Sequence, residues 1–402
     1  MATTITAGNA TNGAAISSDS TGILELKSGT GSGTTAMTVG TGQAVTFAQA
    51  ANLPNTFGFK NRIINGAMVI DQRNAGASVA TTATPAIYSL DRWRNAFSQA
   101  SKYTIQQNSG SVTPPAGFRN YLGIVSSSAY SVLSNDYFWI QQSIEGFNCA
   151  DLAWGTANAS SVTLSFWVRS SLTGTFGGAF NNASGNRSYP FTYTISAANT
   201  WEQKTITVAG DTTGTWATDN SIGINVFFGL GVGSTFSGTA GAWAASNFVS
   251  ATGATSVVGT NGATFYITGV QLEKGSTATS FDVRPYGTEL QLCQRYCFVM
   301  SGGSNRRYFY AGNISGTGLD TFPSRPFPVT FRSSSVSMTV SSNSHFTFET
   351  WASAQQVLTG LVLNTTTVDE VTVTATVGSA VATGGNVIGN NASAKITLSA
   401  EL

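Results

Sequence analysis

From Asn220 to Leu272 the chain carries no Asp, Glu, Lys or Arg. So long an uncharged run can be buried in a core, lie against another subunit, or bind something neutral, and these are weighed in that order. The whole chain shares the tendency. Only 9% of its 402 residues are charged, against about 25% in an ordinary soluble domain. Disorder is excluded, because disordered chains lack aromatics and this one has 24 Phe and 8 Trp. Helix bundles and coiled coils draw on Ala, Glu, Lys, Leu and Arg at helical spacing, which is missing here. About a quarter of the residues are Ser or Thr and 44 are Gly. With the aromatics, they make an all-β composition suited to pleated, half-buried surfaces.

Net charge is +1, from 19 scattered cations. Nucleic-acid binding needs clustered Lys and Arg, so no nucleic-acid partner is expected. No apolar run reaches the roughly 20 residues of a membrane span, so no membrane insertion is expected. MATTITAGNATNG lacks the basic and apolar regions of a signal peptide, and synthesis in a cytoplasm is expected. The three cysteines (Cys149, Cys293, Cys297) are too few for a disulfide framework. Low charge at near-zero net charge favours association, which a closed oligomer would use.

Four segments follow from the pattern. Residues 1–60 form a thin N-terminal segment, with only Asp19, Glu25 and Lys27 charged in the first 50. Short strands are expected around Ile23–Leu26 and Ala44–Phe47, in a piece that is either a linker or intertwined with partner chains. Residues 61–286 read as a β-sandwich, with strands in SVTLSFWVRSS, WEQKTITVAG, SIGINVFFGLGV and ATFYITGVQLE. In the first of these Val162, Leu164, Phe166 and Val168 alternate with outward positions. Residues 287–297 read as a short linking helix, with Thr288 and Gln291 as a capping box. Residues 298–402 return to strand alternation as a second sandwich, with Ala400, Glu401 and Leu402 expected to finish a strand.

Two passages carry a family resemblance: NRIINGAMVIDQRNAG with YSLDRWR, and FYITGVQLEKGSTATSFDVRPYGTELQLCQRYC. Together they resemble the ends of a carbohydrate-binding-type jelly-roll module of bacteriophage tail fibre (receptor-binding) proteins, across roughly residues 61–297. The chain departs from the pattern at Cys297, where an aromatic is usual. The resemblance implies a homotrimeric fibre in the virion tail, assembled in the host cytoplasm. Residues 1–55 would dock on a tail component, and a C-terminal tip domain would occupy residues 298–402. Its implied function is adsorption by non-catalytic binding of a host cell-surface polysaccharide. Two alternatives stay open: a tailspike-type polysaccharide depolymerase, and a structural virion decoration without a receptor role.

The chemistry in the sequence favours binding over catalysis, and no enzyme activity, cofactor or metal is expected. His345, the one histidine, has no G-x-S-x-G elbow to serve. The carboxylate pairs Asp211 with Asp219 and Asp369 with Glu370 are weak glycosidase candidates, the second because neighbours on a strand point to opposite faces. Cys293 and Cys297 are one helical turn apart but lack a second ligand pair. Sugars lie with their C–H faces on aromatic rings rimmed by amides and cations. Asn305, Arg306, Arg307, Tyr308 and Tyr310, with His345 and Trp351, are therefore the candidate saccharide-binding residues, the alternative being that Tyr308 and Tyr310 alternate into the core with ordinary rim arginines. Trp216 and Trp243 read more readily as core.

Overall fold

The computed structural model describes residues 24–28, 34–39, 45–47, 59–82, 86–301, 307–314, 319–321, 324–351, 355–378, 383–390 and 392–402. The chain divides into two units, Met1–Thr56 and Phe57–Leu402. In the first, Leu24–Ser28, Thr34–Val39 and Val45–Phe47 pair in that order as an antiparallel sheet; the first and third fall where short strands are expected, and the second is not among those expected.

The second unit begins with a jelly-roll β-sandwich of two six-stranded sheets. One sheet runs Glu202–Val208, Val162–Ser170, Thr264–Lys274, Leu122–Ser126, Tyr103–Gln107, Val79–Ala80. The other runs Ser188–Ile195, Gly174–Asn181, Ile222–Val232, Tyr137–Glu145, Trp93–Phe97, Ala86–Leu90. Strand alternation makes the core: Val162, Leu164, Phe166 and Val168 face Ile224, Val226, Phe228 and Leu230, all buried. The rings of Phe166 and Phe228 meet across the sheets at 5.0 Å and 76°. Burying each such side chain contributes about 1.5–3 kcal/mol.

This architecture explains the uncharged run. It supplies Ile222–Val232 inside one sheet and most of Thr264–Lys274 inside the other. The segment between them folds over the outer face, where a Cβ on Gly177 or Gly229 would meet the Ser250 hydroxyl at 2.5 or 2.7 Å. There an amide ladder pins it: Gln141 and Ser143 bond Asn225, Asn225 bonds Asn181, and Asn181 bonds Asn247. Burial within one chain therefore accounts for the missing charges in the two strands, while much of the connecting segment is exposed.

The linking helix α1 spans Tyr286–Gln294 and corrects the expected capping. It starts after Pro285 with no side-chain cap, so Thr288 lies inside it. Proline fixes φ and leads into a first turn whose N–H groups need no helical partner. Glu289, expected only as a helix residue, is buried and accepts the backbone N–H of Asn65. Cys293 and Tyr296 pack with Ile64 and Ile70. Cys297 already opens the strand Cys297–Ser301. Among the described residues, no helix is long and apolar enough to cross a membrane.

From Cys297 the chain builds a three-stranded sheet, Cys297–Ser301, Lys395–Ser399 and Ser337–Val340. A larger sheet runs Arg307–Ile314, Thr383–Gly389, Phe346–Thr350, Gln355–Thr366, Glu370–Val377, Leu319–Thr321. They share a second core around Phe309, Phe346, Phe348 and Leu398. Ala400–Leu402 follow the last strand and pack on the jelly roll, where Tyr88 Oη donates to Leu402 O at 2.6 Å.

Candidate functional site

The residues singled out from the sequence do not form one patch. Asn305 and Arg306 lie outside the described residues, and Arg307 opens the strand Arg307–Ile314, with only its backbone described. Tyr308 is 60% exposed, whereas Tyr310 is buried in the second core with the Arg325 guanidinium 5.9 Å from its ring centre. His345 ends a 3-10 turn, its Nδ1 2.9 Å from Ser341 Oγ. Trp351 is 71% exposed. Strand register separates it from Tyr308: Tyr308 pairs with Ile388, and Ile388 with Thr347. Trp351 lies four residues past Thr347, about 14 Å along the strand at ~3.4 Å per residue. One small sugar cannot bridge the two rings.

Three of the four carboxylate candidates, all but Glu370, are engaged as well. Asp211 forms a two-pronged pair with Arg187 at 2.6 and 2.7 Å. Burial raises its proton affinity, but the hydrogen bonds from Arg187 and Thr213 together outweigh this and hold the carboxyl below its ordinary value. Asp219 accepts Ser221 N–H, and Asp369 accepts the Thr330 hydroxyl. Trp216 and Trp243 stack edge-on with Trp154 at 4.8 and 5.3 Å and belong to the framework.

A different feature has the geometry of a ligand site. In Val162–Ser170 the inward set leaves Trp167 pointing out, paired with Gln203 on one side and Thr268 on the other. The register slips between Ser165 and Trp167, where Gly269 sits at φ +60°. A Cβ on Gly269 would lie 2.6 Å from the Phe118 ring and 3.1 Å from the Trp167 ring. Glycine thus lets both rings close over the strand, and the bulge re-aims Trp167. Phe118 meets Phe281 edge-on at 5.1 Å.

These rings, with Ser165, Gln203 and Val283, line a cavity of about 230 Å³. A second cavity of about 230 Å³ shares Gly117, Phe118, Phe281 and Val283 with it and continues past Arg119 to Glu289 of α1. Sharing these four residues, the two cavities adjoin as the halves of one open groove. Two carboxylates line its second half. Asp282 and Glu289 lie 3.8 and 3.4 Å from Arg284, and accept the backbone N–H groups of Asn61 and Asn65.

Hydrogen-bond accounting distinguishes Trp167 from other tryptophans. The indole N–H groups of Trp93, Trp139, Trp154, Trp201, Trp216 and Trp243 each donate to a group within the chain. Among the described residues, Trp167 and Trp351 donate to none, and the Gln203 amide is also unpartnered. The groove therefore combines flat apolar rings with free amide and indole donors, which suits a ring with one C–H face and equatorial hydroxyls. Sequence reasoning missed Trp167 because the alternation drew attention to its inward neighbours. A Trp at an outward position of such a strand was the available signal.

No family model and no curated protein sequence matches this chain. Among solved structures it is similar to the enzymatically active domain of tailspike protein 4 of bacteriophage CBA120. Identity is 12% and the TM-score 0.30, over 54% of this chain and 21% of that one. The chain thus spans about a fifth of that protein. It is similar to a CBM4 structure at 14% identity and TM-score 0.26, over 52% of this chain and 97% of that one. It is also similar to a family 11 carbohydrate-binding module from Clostridium thermocellum in complex with a β-1,3-1,4-mixed-linked tetrasaccharide. There identity is 10% and the TM-score 0.24, over 48% of this chain and 96% of that one.

Proposed function

We propose that this chain is a phage tail fibre protein that adsorbs to its host by binding a cell-surface polysaccharide without cleaving it. The observation that carries the binding part is the groove at Trp167, where the rings of Trp167, Phe118 and Phe281 meet the Gln203 amide and the Trp167 indole N–H. The virion setting rests on the sequence resemblance. In this reading the protein is a homotrimer held to the tail by residues 1–55. Several copies then multiply a weak single-site affinity, since linked sites raise avidity without any new contact.

Binding without cleavage is supported by the groove's carboxylates. Glycoside hydrolysis needs one carboxyl as proton donor and a second acting on the sugar. Asp282 and Glu289 are instead occupied by Arg284 and backbone N–H groups.

Adsorption inhibition tests this function. Soluble protein is expected to bind host cells and block infection, while host polysaccharide incubated with it gains no reducing ends. Released reducing ends would contradict the non-catalytic reading. Failure to bind cells would contradict the receptor role.

A further inference from the structure

We infer that the groove is built for an acidic heteropolysaccharide, with a neutral pyranose on Trp167 and an anionic sugar residue against Arg119. This rests on the saccharide reading above and adds the chemical class of the ligand.

The two halves of the groove differ in charge. Around Trp167 the lining holds no ionisable side chain, and its polar groups are the Ser165 hydroxyl and the Gln203 amide. A neutral ring matches those groups, because a charged one would lose water without gaining a counter-charge. In the adjoining half, Arg284 is 5% exposed in its side chain and pairs with both Asp282 and Glu289, one cation against two carboxylates that each also accept a backbone N–H. Arg119 also lines that half, and it is exposed and pairs with no described carboxylate. It follows Phe118, one of the two rings common to both cavities, so the two subsites adjoin. A free guanidinium beside an apolar wall offers a planar fork of donors, matched best by a carboxylate or phosphate.

The test uses an array of purified oligosaccharides whose repeats are neutral only, or mix neutral residues with uronate or phosphate. Wild type, Arg119→Gln, Arg119→Lys and Trp167→Ala are compared, and each variant is checked for unchanged thermal unfolding. Wild-type binding is expected to be confined to the mixed anionic repeats. Reducing the uronate carboxyls to alcohols, or the Arg119→Gln change, should weaken it at least tenfold, with Arg119→Lys in between. Added salt should weaken it as well, and Trp167→Ala should weaken it at least tenfold. Equal binding to neutral repeats, or no loss in Arg119→Gln, would overturn the acidic assignment and leave the saccharide reading standing. Wild-type binding to nothing on the array would overturn both.

Discussion

The carboxylate of Glu401 closes on the guanidinium of Arg92, a side chain only 1% exposed. Arg92 sits in the turn between two jelly-roll strands at φ +68°. It stacks over the Tyr296 ring at 3.6 Å and donates to Ser143 O at 2.5 Å. The second oxygen of Glu401 takes Arg73 at 2.9 Å. Next to it, Arg332 donates to Ala400 O and to Asn220 O, tying the second sandwich to the first. The two β modules of Phe57–Leu402 are therefore joined through a buried, charged seam.

Removing one partner of such a pair leaves a buried charge uncompensated, which costs about 3–5 kcal/mol. Glu401→Gln is expected to lower stability by that order and to split thermal unfolding into two transitions, one per module. Calorimetry reads both. A single transition at the wild-type temperature would show that the seam carries no coupling.

Asp91 belongs to the same seam and gives it a pH dependence. Burial raises its pKa to about 6, against the pull of Arg73 and of the Gln72 hydrogen bonds. A folded-state pKa above the unfolded value means the folded chain binds the extra proton. The stabilisation is full below about pH 4 and is lost as pH rises through 6, on the order of 3 kcal/mol. Asp91→Asn should remove this slope. Unfolding of wild type and variant, compared at pH 4 and pH 7, should show the wild type gaining relative to the variant at pH 4. A pH-independent gap would contradict it.

Gly269 offers a local test of the bulge. Gly269→Ala places a methyl against the Phe118 ring on a backbone that L-residues rarely adopt. A loss of about 1–3 kcal/mol is expected, together with weaker saccharide binding as Phe118 is displaced. Unfolding and binding titrations of the variant check the two effects. Unchanged values for both would show that the close approach does not shape the groove.

Much of the fold was legible because burial writes a period of two into a strand. SVTLSFWVRSS became Val162–Ser170, SIGINVFFGLGV became Ile222–Val232, and AKITLSAEL became Lys395–Ser399. The helix was legible in place but not in its start, because Pro285 and not Thr288 leads into the first turn. The groove was not legible. It depends on a bulge at Gly269 and on two loops, around Phe118 and Phe281, whose meeting is set by tertiary packing and leaves no periodic trace. The arginine–tyrosine run at 305–310 misled for a similar reason: a register shift between Tyr308 and Tyr310 turns Tyr310 inward where strict alternation would keep the two on one face, and register set Trp351 far from Tyr308.

The central claim is that the groove at Trp167 holds the host glycan. Titrating wild type and Trp167→Ala with purified host polysaccharide, at matched thermal stability, tests it most directly. Losing a stacked aromatic and its indole donor should weaken binding at least tenfold. Equal affinity of the two proteins would place the receptor site elsewhere and contradict the account.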